Sequence, residues 1–396
     1  MTRRLLVFLT VINLLNYLDR YIMAAVLPSV MRQFMLTQEE GGMLVAAFVP
    51  GYVIFSPLFG YLGDRFSRPR LMAVGVVLWS LATLLSAVAP NFWILAAARV
   101  LVGIGEASFA SIAPGYIKDQ LQNPIRVNSA LSLFFAAIPV GAALGFVLGG
   151  QIAQHFTWQA AFLAGGIPGL VLAPLLLRLA EIPGRQTAAV GVLAGIRQIM
   201  QVEILWYVIG GYVLNAYALN GVAAFVSSYG ESIGFTLGEV GSYFGIILVV
   251  SGMLGTWGGG RIASHFAARS PNQLQSLLLF SGMTALLGVP FLVLAFSSSN
   301  QAIFLLGCFL AELLVFAGTA PINSILVVSC PAALVTLTQG FTILAINLLG
   351  ALPAPIIVGA IWHASSLRLG MLSLALVLCG CAVIWTVGSR RSKLIS

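Results

Sequence analysis

Five ionisable residues stand well inside long apolar stretches: Asp19 and Arg20 in the first, Arg99 and Glu106 in the fourth, and Glu312 in the tenth. A charge left at the centre of a bilayer costs at least ~2.5–3.5 kcal/mol on insertion scales, so such groups must face protein or water and find partners. The chemistry open to them is proton exchange and recognition of a polar headgroup. Apolar surroundings disfavour the charged form of a carboxyl group, and a nearby arginine favours it. Together these effects make a protonation site whose affinity changes as a cavity opens to either side. Asp19 and Glu106 are the leading candidates for that role, Arg99 is the accompanying base, and Glu312 is a further acid in the second half. The alternative is an ion pair that only orders the helices.

Helical geometry sharpens the choice. Arg99 and Glu106 are seven apart and share one face, about two turns separated. Glu106 is therefore expected either to titrate or to be a fixed partner of Arg99. Around it Gly103, Gly105, Ala107 and Ser108 are small, and are expected to admit a neighbouring helix and leave room around the carboxylate. Asp19 and Arg20 are adjacent and point about 100° apart, so they cannot both face one cavity squarely; which one does is open. Glu312 has no intramembrane base in its own half. It is neutral, hydrogen-bonded to polar groups, or in contact with water. Asn16, Tyr17, Arg20, Tyr52 and Asn215 are candidate cavity-lining residues. Tyr21, Tyr212 and Tyr217 also lie inside apolar segments, and for every one of these tyrosines core packing is an equally good reading.

The elements that must position these side chains follow from composition. Of 396 residues 60% are hydrophobic and only 8% are charged, and the mean hydropathy is +1.02. So few charges cannot clothe a soluble surface of this size, whereas lipid rewards an apolar exterior. A window of about 19 residues finds apolar segments near 5–29, 43–63, 71–89, 92–113, 127–150 and 160–178. Past a more polar stretch come 204–229, 240–262, 275–296, 301–322, 334–359 and 367–388. At about 1.5 Å per residue each can cross about 30 Å of hydrocarbon. The segment 240–262 is the weakest, because Trp257-Gly258-Gly259-Gly260 lacks bulky apolar groups. The expected fold is an all-α membrane protein of twelve transmembrane helices in two six-helix bundles, 1–180 and 204–396, joined by a linker over 181–203. The first apolar segment reads as a retained span rather than a cleaved signal.

Basic residues orient the chain. With the N-terminus inside, the inner segments hold Arg3, Arg4, Arg65, Arg68, Arg70, Lys118, Arg126, Arg178, Arg185, Arg197, Arg261, Arg269, Arg390, Arg391 and Lys393, and the outer loops only Arg32 and Arg368. Both termini are expected on the cytoplasmic side. The two halves show a faint repeat. Glu106 precedes Pro114 much as Glu312 precedes Pro321, and Gly60-Tyr-Leu-Gly-Asp-Arg65 has a degraded echo in Gly255-Thr-Trp-Gly-Gly-Gly-Arg261. Such repeats suit a two-lobed alternating-access carrier.

The most specific local pattern is the turn Gly60-Tyr61-Leu62-Gly63-Asp64-Arg65-Phe66-Ser67-Arg68-Pro69-Arg70. Gly60 and Gly63 permit close approach, and Asp64, Arg65 and Arg68 can make contacts that break when an inner gate opens. A plain positive-inside loop would explain the arginines but not Asp64 or the glycine spacing. In the fifth segment Gly141, Gly145 and Gly149, with Pro139 and Gly150, form a smooth stripe for a tight helix crossing.

Other chemistry finds little support. The net charge of +8 is not gathered on a basic face with aromatic interleaving, so nucleic acid is not an expected partner. His155, His265 and His363 are placed in short, separated loops, and Cys308, Cys330, Cys379 and Cys381 lack metal-ligand spacing. No enzyme activity, cofactor or metal is expected.

The blocks Asn13–Tyr21, Phe59–Arg68 and Arg99–Ser108, the last continuing to Ala113-Pro114, resemble the major facilitator superfamily and within it the Spinster-like branch. Ser67 and Pro69 depart from the glycine and base usual at those places, with Arg70 standing nearby. The resemblance implies a transporter of lysophospholipid or sphingoid-type amphiphiles, driven or modulated by protons, acting as a monomer among membrane lipids. It further implies that Asp19, Glu106 and Arg99 handle substrate and protons, and that Glu312 matches the family's acid in the tenth span. The lean loops resemble bacterial members, which implies the inner (cytoplasmic) membrane. The nearest rival is a proton-coupled carrier of small organic anions or hydrophobic drugs on the same fold, for which Arg99 and Arg20 would supply positive charge. A non-transporting receptor is a more distant one.

Overall fold

The computed structural model describes residues 3–121, 124–181, 192–330 and 334–391, and within them the regular structure is helical. In chain order the first half holds α1 (Arg3–Phe34), α2 (Gln38–Ala46), α3 (Phe48–Arg65), α4 (Arg68–Ala87), α5 (Phe92–Asp119), α6 (Pro124–His155) and α7 (Trp158–Leu176). The second holds α8 (Val192–Met200), α9 (Glu203–Ser232), α10 (Leu237–Ala268), α11 (Gln273–Ser297), α12 (Gln301–Ala317), α13 (Thr319–Val328), α14 (Val335–Ala345), a π-helical turn over Ile346–Ala351, α15 (Pro353–Ala364) and α16 (Leu367–Arg391). Several of these join end to end, giving twelve helical stretches long and apolar enough to cross a membrane. They match the segments expected one for one and run several residues past most of them. Polar caps set several of the starts: Asn91, Thr157, Asn272 and Asn300 each accept a backbone N–H at a helix start, and Thr37 and Glu40 form a reciprocal capping box. Large apolar side chains such as Ile54, Val74, Val171 and Leu376 face outward and are more than half exposed, which suits lipid and not water.

The chain divides into two compact units, Met1–Thr187 with Val226–Ile246, and Ala188–Phe225 with Ile247–Ser396. The C-terminal part of α9 and the N-terminal part of α10 thus cluster with the first unit. Of the expected linker, residues 182–191 lie outside the described residues, and the following stretch forms the short helix α8.

In the first unit the glycine stripe does what its spacing implies. Added Cβ atoms on Gly141, Gly145 and Gly149 would run into Leu14 O, Leu18 O and the Ala25 Cβ, so α6 lies backbone-close along α1. Gly150 and Gly241 bring α6 and the start of α10 equally close, where the Gln151 amide donates to Gly238 O (3.0 Å) and Ser242 Oγ (2.9 Å). In the second unit Gly255 and Gly259 press against Leu313 O and Ala317. Of the glycines that make residues 240–262 look weak as a span, Gly259 is thus part of the packing face on α12, Gly260 adjoins Ala320 on α13, and a Cβ on Gly258 would meet nothing.

The histidines are a correction: His155, His265 and His363 lie in the last turns of α6, α10 and α15, not in loops. Among the described residues no group of His, Cys, Asp and Glu could hold a metal ion.

Candidate functional site

The site is assembled by α1 and α5, closed by α3, α4 and α7. Glu106 pairs with Arg20: Glu106 Oε2 accepts from Arg20 Nη2 at 2.6 Å and from Nε at 3.1 Å. The alternative in which Glu106 is a fixed partner of Arg99, its own helix neighbour, is not the pairing found. Two turns along one helix are about 10 Å, beyond direct contact, and Arg20 enters from the facing helix instead. Arg99 turns to Asp19, with Nη1 3.6 Å from Oδ1. The adjacent residues Asp19 and Arg20 point differently, as expected, yet both find partners on α5. Two crossed pairs result. The side chains of Asp19, Arg99 and Glu106 are essentially sealed, whereas Arg20 keeps 13% of its side chain exposed.

Neighbours tune each charge. The Arg20 guanidinium lies over the rings of Tyr17, Phe48 and Tyr52, at 4.8, 4.5 and 5.0 Å from their centroids. Tyr17 and Tyr52 therefore adjoin the charge cluster, and Phe48, at the start of α3, joins them without having been foreseen. Thr83 on α4 was also missed. Its Oγ1 lies 2.6 Å from Asp19 Oδ2 and 2.9 Å from Trp79 O, and its single proton serves one of them at a time. An ionised Asp19 accepts that proton, while a protonated Asp19 can donate to Thr83, which then turns to Trp79 O. Asp19 Oδ2 thus keeps its Thr83 partner in either state. Arg99 is backed by the Phe162 ring at 5.8 Å.

Several buried polar atoms here have no protein hydrogen-bond partner: Glu106 Oε1, Asp19 Oδ1, Arg99 Nη1 and Nη2, Ser80 Oγ, and both amide atoms of Asn16. Buried polar groups are ordinarily paired, so this cluster reads as a site rather than as core. The small residues around Glu106 do not leave the open room expected of them. A Cβ on Gly103 would strike Phe48 O and one on Gly105 would strike Trp79 N, so the glycines let α3 and α4 close on α5 and seal the carboxylate.

The other candidates fall elsewhere. Glu312 belongs to the second unit, where Ser251 Oγ donates to its Oε2 at 3.1 Å. It borders a cavity of about 20 Å³ with Cys308 and Leu378, room for about one water. Of the three readings open to it, hydrogen bonding to a polar group is the one observed. Asn215 is buried in the same unit with its amide atoms unpartnered.

At the α3–α4 turn the two arginines differ. Arg65 is exposed over the Tyr61 ring, while Arg68 is buried, donates to Gly63 O at 2.9 Å and pairs with Asp119 at the end of α5. Ser67 caps α4 and donates to Glu181 Oε1 at 2.8 Å, and Arg70 reaches the same carboxylate at 3.4 Å. A Cβ on Gly60 would meet open space, and one on Gly63 would meet Ile112. The Asp64 side chain lies outside the described residues. Asp119 and Glu181 escaped the sequence reading, although each is an acid at the edge of an apolar segment on the side where the arginines gather.

Residues 9–355 match the Major Facilitator Superfamily. The Arabidopsis thaliana protein named probable sphingolipid transporter spinster homolog 1 is 28% identical, over 97% of this chain and 88% of its own length. The Drosophila melanogaster protein spinster is 33% identical, over 89% of this chain and 60% of its own length. A bacterial homolog of the human lysosomal transporter Spinster, solved in an inward-facing and unoccupied conformation, shares the fold with a TM-score of 0.87, 19% identity and 98% of each chain covered. Twelve spanning helices and a buried charge cluster define a membrane carrier, and this chain belongs to the Major Facilitator Superfamily. Within it the chain stands with the Spinster-like transporters; it is a transporter, not an enzyme.

Proposed function

We propose that this carrier moves lysophospholipid or sphingoid-type amphiphiles by alternating access, coupled to protons through Glu106 and Asp19. The bundles are 1–180 and 204–396, the linker 181–203 and both termini are cytoplasmic, and the protein works as a monomer in the inner membrane. The observation that carries this reading is the pair of crossed ion pairs with unpartnered oxygens beside aromatic rings. Two acids and two bases sum to zero charge, which suits a zwitterionic headgroup better than a simple anion. A phosphodiester approaching Arg20, the one member of the cluster with appreciable exposure, competes with Glu106 for the guanidinium. The displaced carboxylate then takes up a proton, and by linkage proton and lipid affect each other's binding equally. The relative named as a probable sphingolipid transporter supports the lipid assignment. Glu312 serves as a second acid in the other bundle, and Asn16 and Asn215 offer amides to a headgroup. Gly60, Gly63, Asp64, Arg65 and Arg68 form the inner gate, with the Arg68–Asp119 pair as its buried contact.

The test is flux in proteoliposomes with lysophosphatidylethanolamine, a hexuronate and a cationic dye in parallel. Saturable movement of the lysolipid supports the reading. Movement of the sugar acid or the dye with none of the lipid would assign the carrier to organic anions or drugs.

A further inference from the structure

The last turns of α10 carry a feature the transport site does not use. Gly260, Ser264 and Ala267 on α10, Gln273 at the start of α11, and Pro321 and Ser324 on α13 line a crevice of about 410 Å³. That volume lies within the range of small-molecule sites, roughly 300–1,000 Å³. Gly260 opens it: a Cβ there already meets Ala320, so a larger side chain would fill the mouth. The wall is mixed, with two hydroxyls and an amide among small apolar groups.

Two arginines adjoin its lining residues in the chain, Arg261 after Gly260 and Arg269 after Ala268. Arg261 lies one turn before Ser264 on the same helix face, and Arg269 follows the end of α10. Both are exposed, and neither forms an ion pair among the described residues. The Arg261 guanidinium is held instead over the Trp257 ring at 4.1 Å, which leaves its N–H donors available. Trp257, one turn before Arg261, exposes more than half of its surface, as contact with an acyl chain requires.

We propose that this crevice seats the headgroup of an anionic membrane phospholipid, its phosphate on Arg261 and Arg269 and its polar remainder against Ser264, Gln273 and Ser324. The Ser264 and Ser324 hydroxyls donate to Gly260 O and Ala320 O of their own helices and so face a headgroup as acceptors. A positive-inside loop needs arginines but no polar crevice, and a lipid-facing groove needs no guanidinium groups without an ion pair. Their coincidence at one helix end, beside exposed aromatic surface, fits an amphiphile with a negative head. Under the orientation proposed above the leaflet is the inner one, although binding itself does not depend on that orientation or on the transported substrate.

The test is native mass spectrometry of the purified full chain in detergent with added phosphatidylglycerol or phosphatidylcholine of identical acyl chains, with melting read alongside. The wild type should retain phosphatidylglycerol selectively. Arg261→Gln and Arg269→Gln should each lower that preference about fivefold. Ser264→Leu should abolish it with every charge in place, and Arg4→Gln should leave it unchanged. Because these positions are exposed, the variants should melt like the wild type without added lipid. Equal retention of both lipids, survival of the preference in the double arginine variant, or an equal loss in Arg4→Gln would overturn the site. Stabilisation by inorganic phosphate matching that by phosphatidylglycerol would also overturn it, because the occupant would then be a free anion.

Discussion

Replacing Glu106 by Gln keeps shape and an acceptor oxygen while removing the charge that Arg20 faces. Losing one partner of a buried pair costs about 3–5 kcal/mol in soluble proteins, because the other charge is left uncompensated. Here Arg20 is not stranded. It keeps the rings of Tyr17, Phe48 and Tyr52 and its partial exposure of 13%. A desolvated cation on an aromatic face is worth about 2 kcal/mol, so the expected loss falls to about 1–3 kcal/mol. On the calibration for soluble domains of 150–250 residues this is a melting drop of roughly 2–12 °C. Arg20→Gln should cost more, because it removes the guanidinium's contacts with three rings as well as the base, and leaves Glu106 to take up a proton. The assay pairs detergent melting with lysolipid flux driven by a pH gradient. Glu106→Gln should melt above Arg20→Gln and still bind lipid, but its flux should no longer respond to the gradient. Equal melting losses in both variants, with gradient-driven flux surviving in Glu106→Gln, would refute the reasoning and make the pair structural glue.

Three further outcomes are expected. Thr83→Val should destabilise by about 1–3 kcal/mol by stripping Asp19 of its hydroxyl partner, while Thr83→Ser should restore most of the melting temperature; equal melting of the two variants would contradict the hydrogen bond. Gly145→Leu should cost about 1–3 kcal/mol or prevent folding, because α1 backbone lies against that position, whereas Gly115→Ala, which meets nothing, should be neutral or gain up to ~1 kcal/mol of helix propensity; thermal melts of both check this. Arg32→Gln should shift stability by less than about 1 kcal/mol, since its pair with Glu231 is 61% and 25% exposed, and a larger loss on melting would mean that the contact is far better shielded than its exposure implies.

Sequence and structure agree where the physics is local. A span must be continuously apolar over its whole length, so the twelve helices were legible from hydropathy, and the glycine period of α6 reported its own packing partner distance. The charges were legible as a set because lipid forbids them without partners. Their pairing was not, because it depends on how α1 and α5 rotate about their axes, and a seven-residue spacing within one helix suggested Arg99 for Glu106 when Arg20 was the partner. Phe48 and Thr83 were missed for the same reason, since nothing local marks a ring or hydroxyl as facing a charge on another helix, whereas Asp119 and Glu181 carried a signal in being acids at the edges of apolar segments. The π-helical turn over Ile346–Ala351 likewise left no mark in a hydropathy window, although such turns often accompany functional positions.

Proton-linked lipid movement is tested most directly by reading protons when lipid is supplied. Wild-type proteoliposomes loaded with a pH-sensitive dye, held without a preset gradient, should show a change in lumenal pH on addition of lysophosphatidylethanolamine. Protein-free vesicles and Glu106→Gln vesicles should show none. Saturable lysolipid movement in the wild type with no change in lumenal pH would contradict the account.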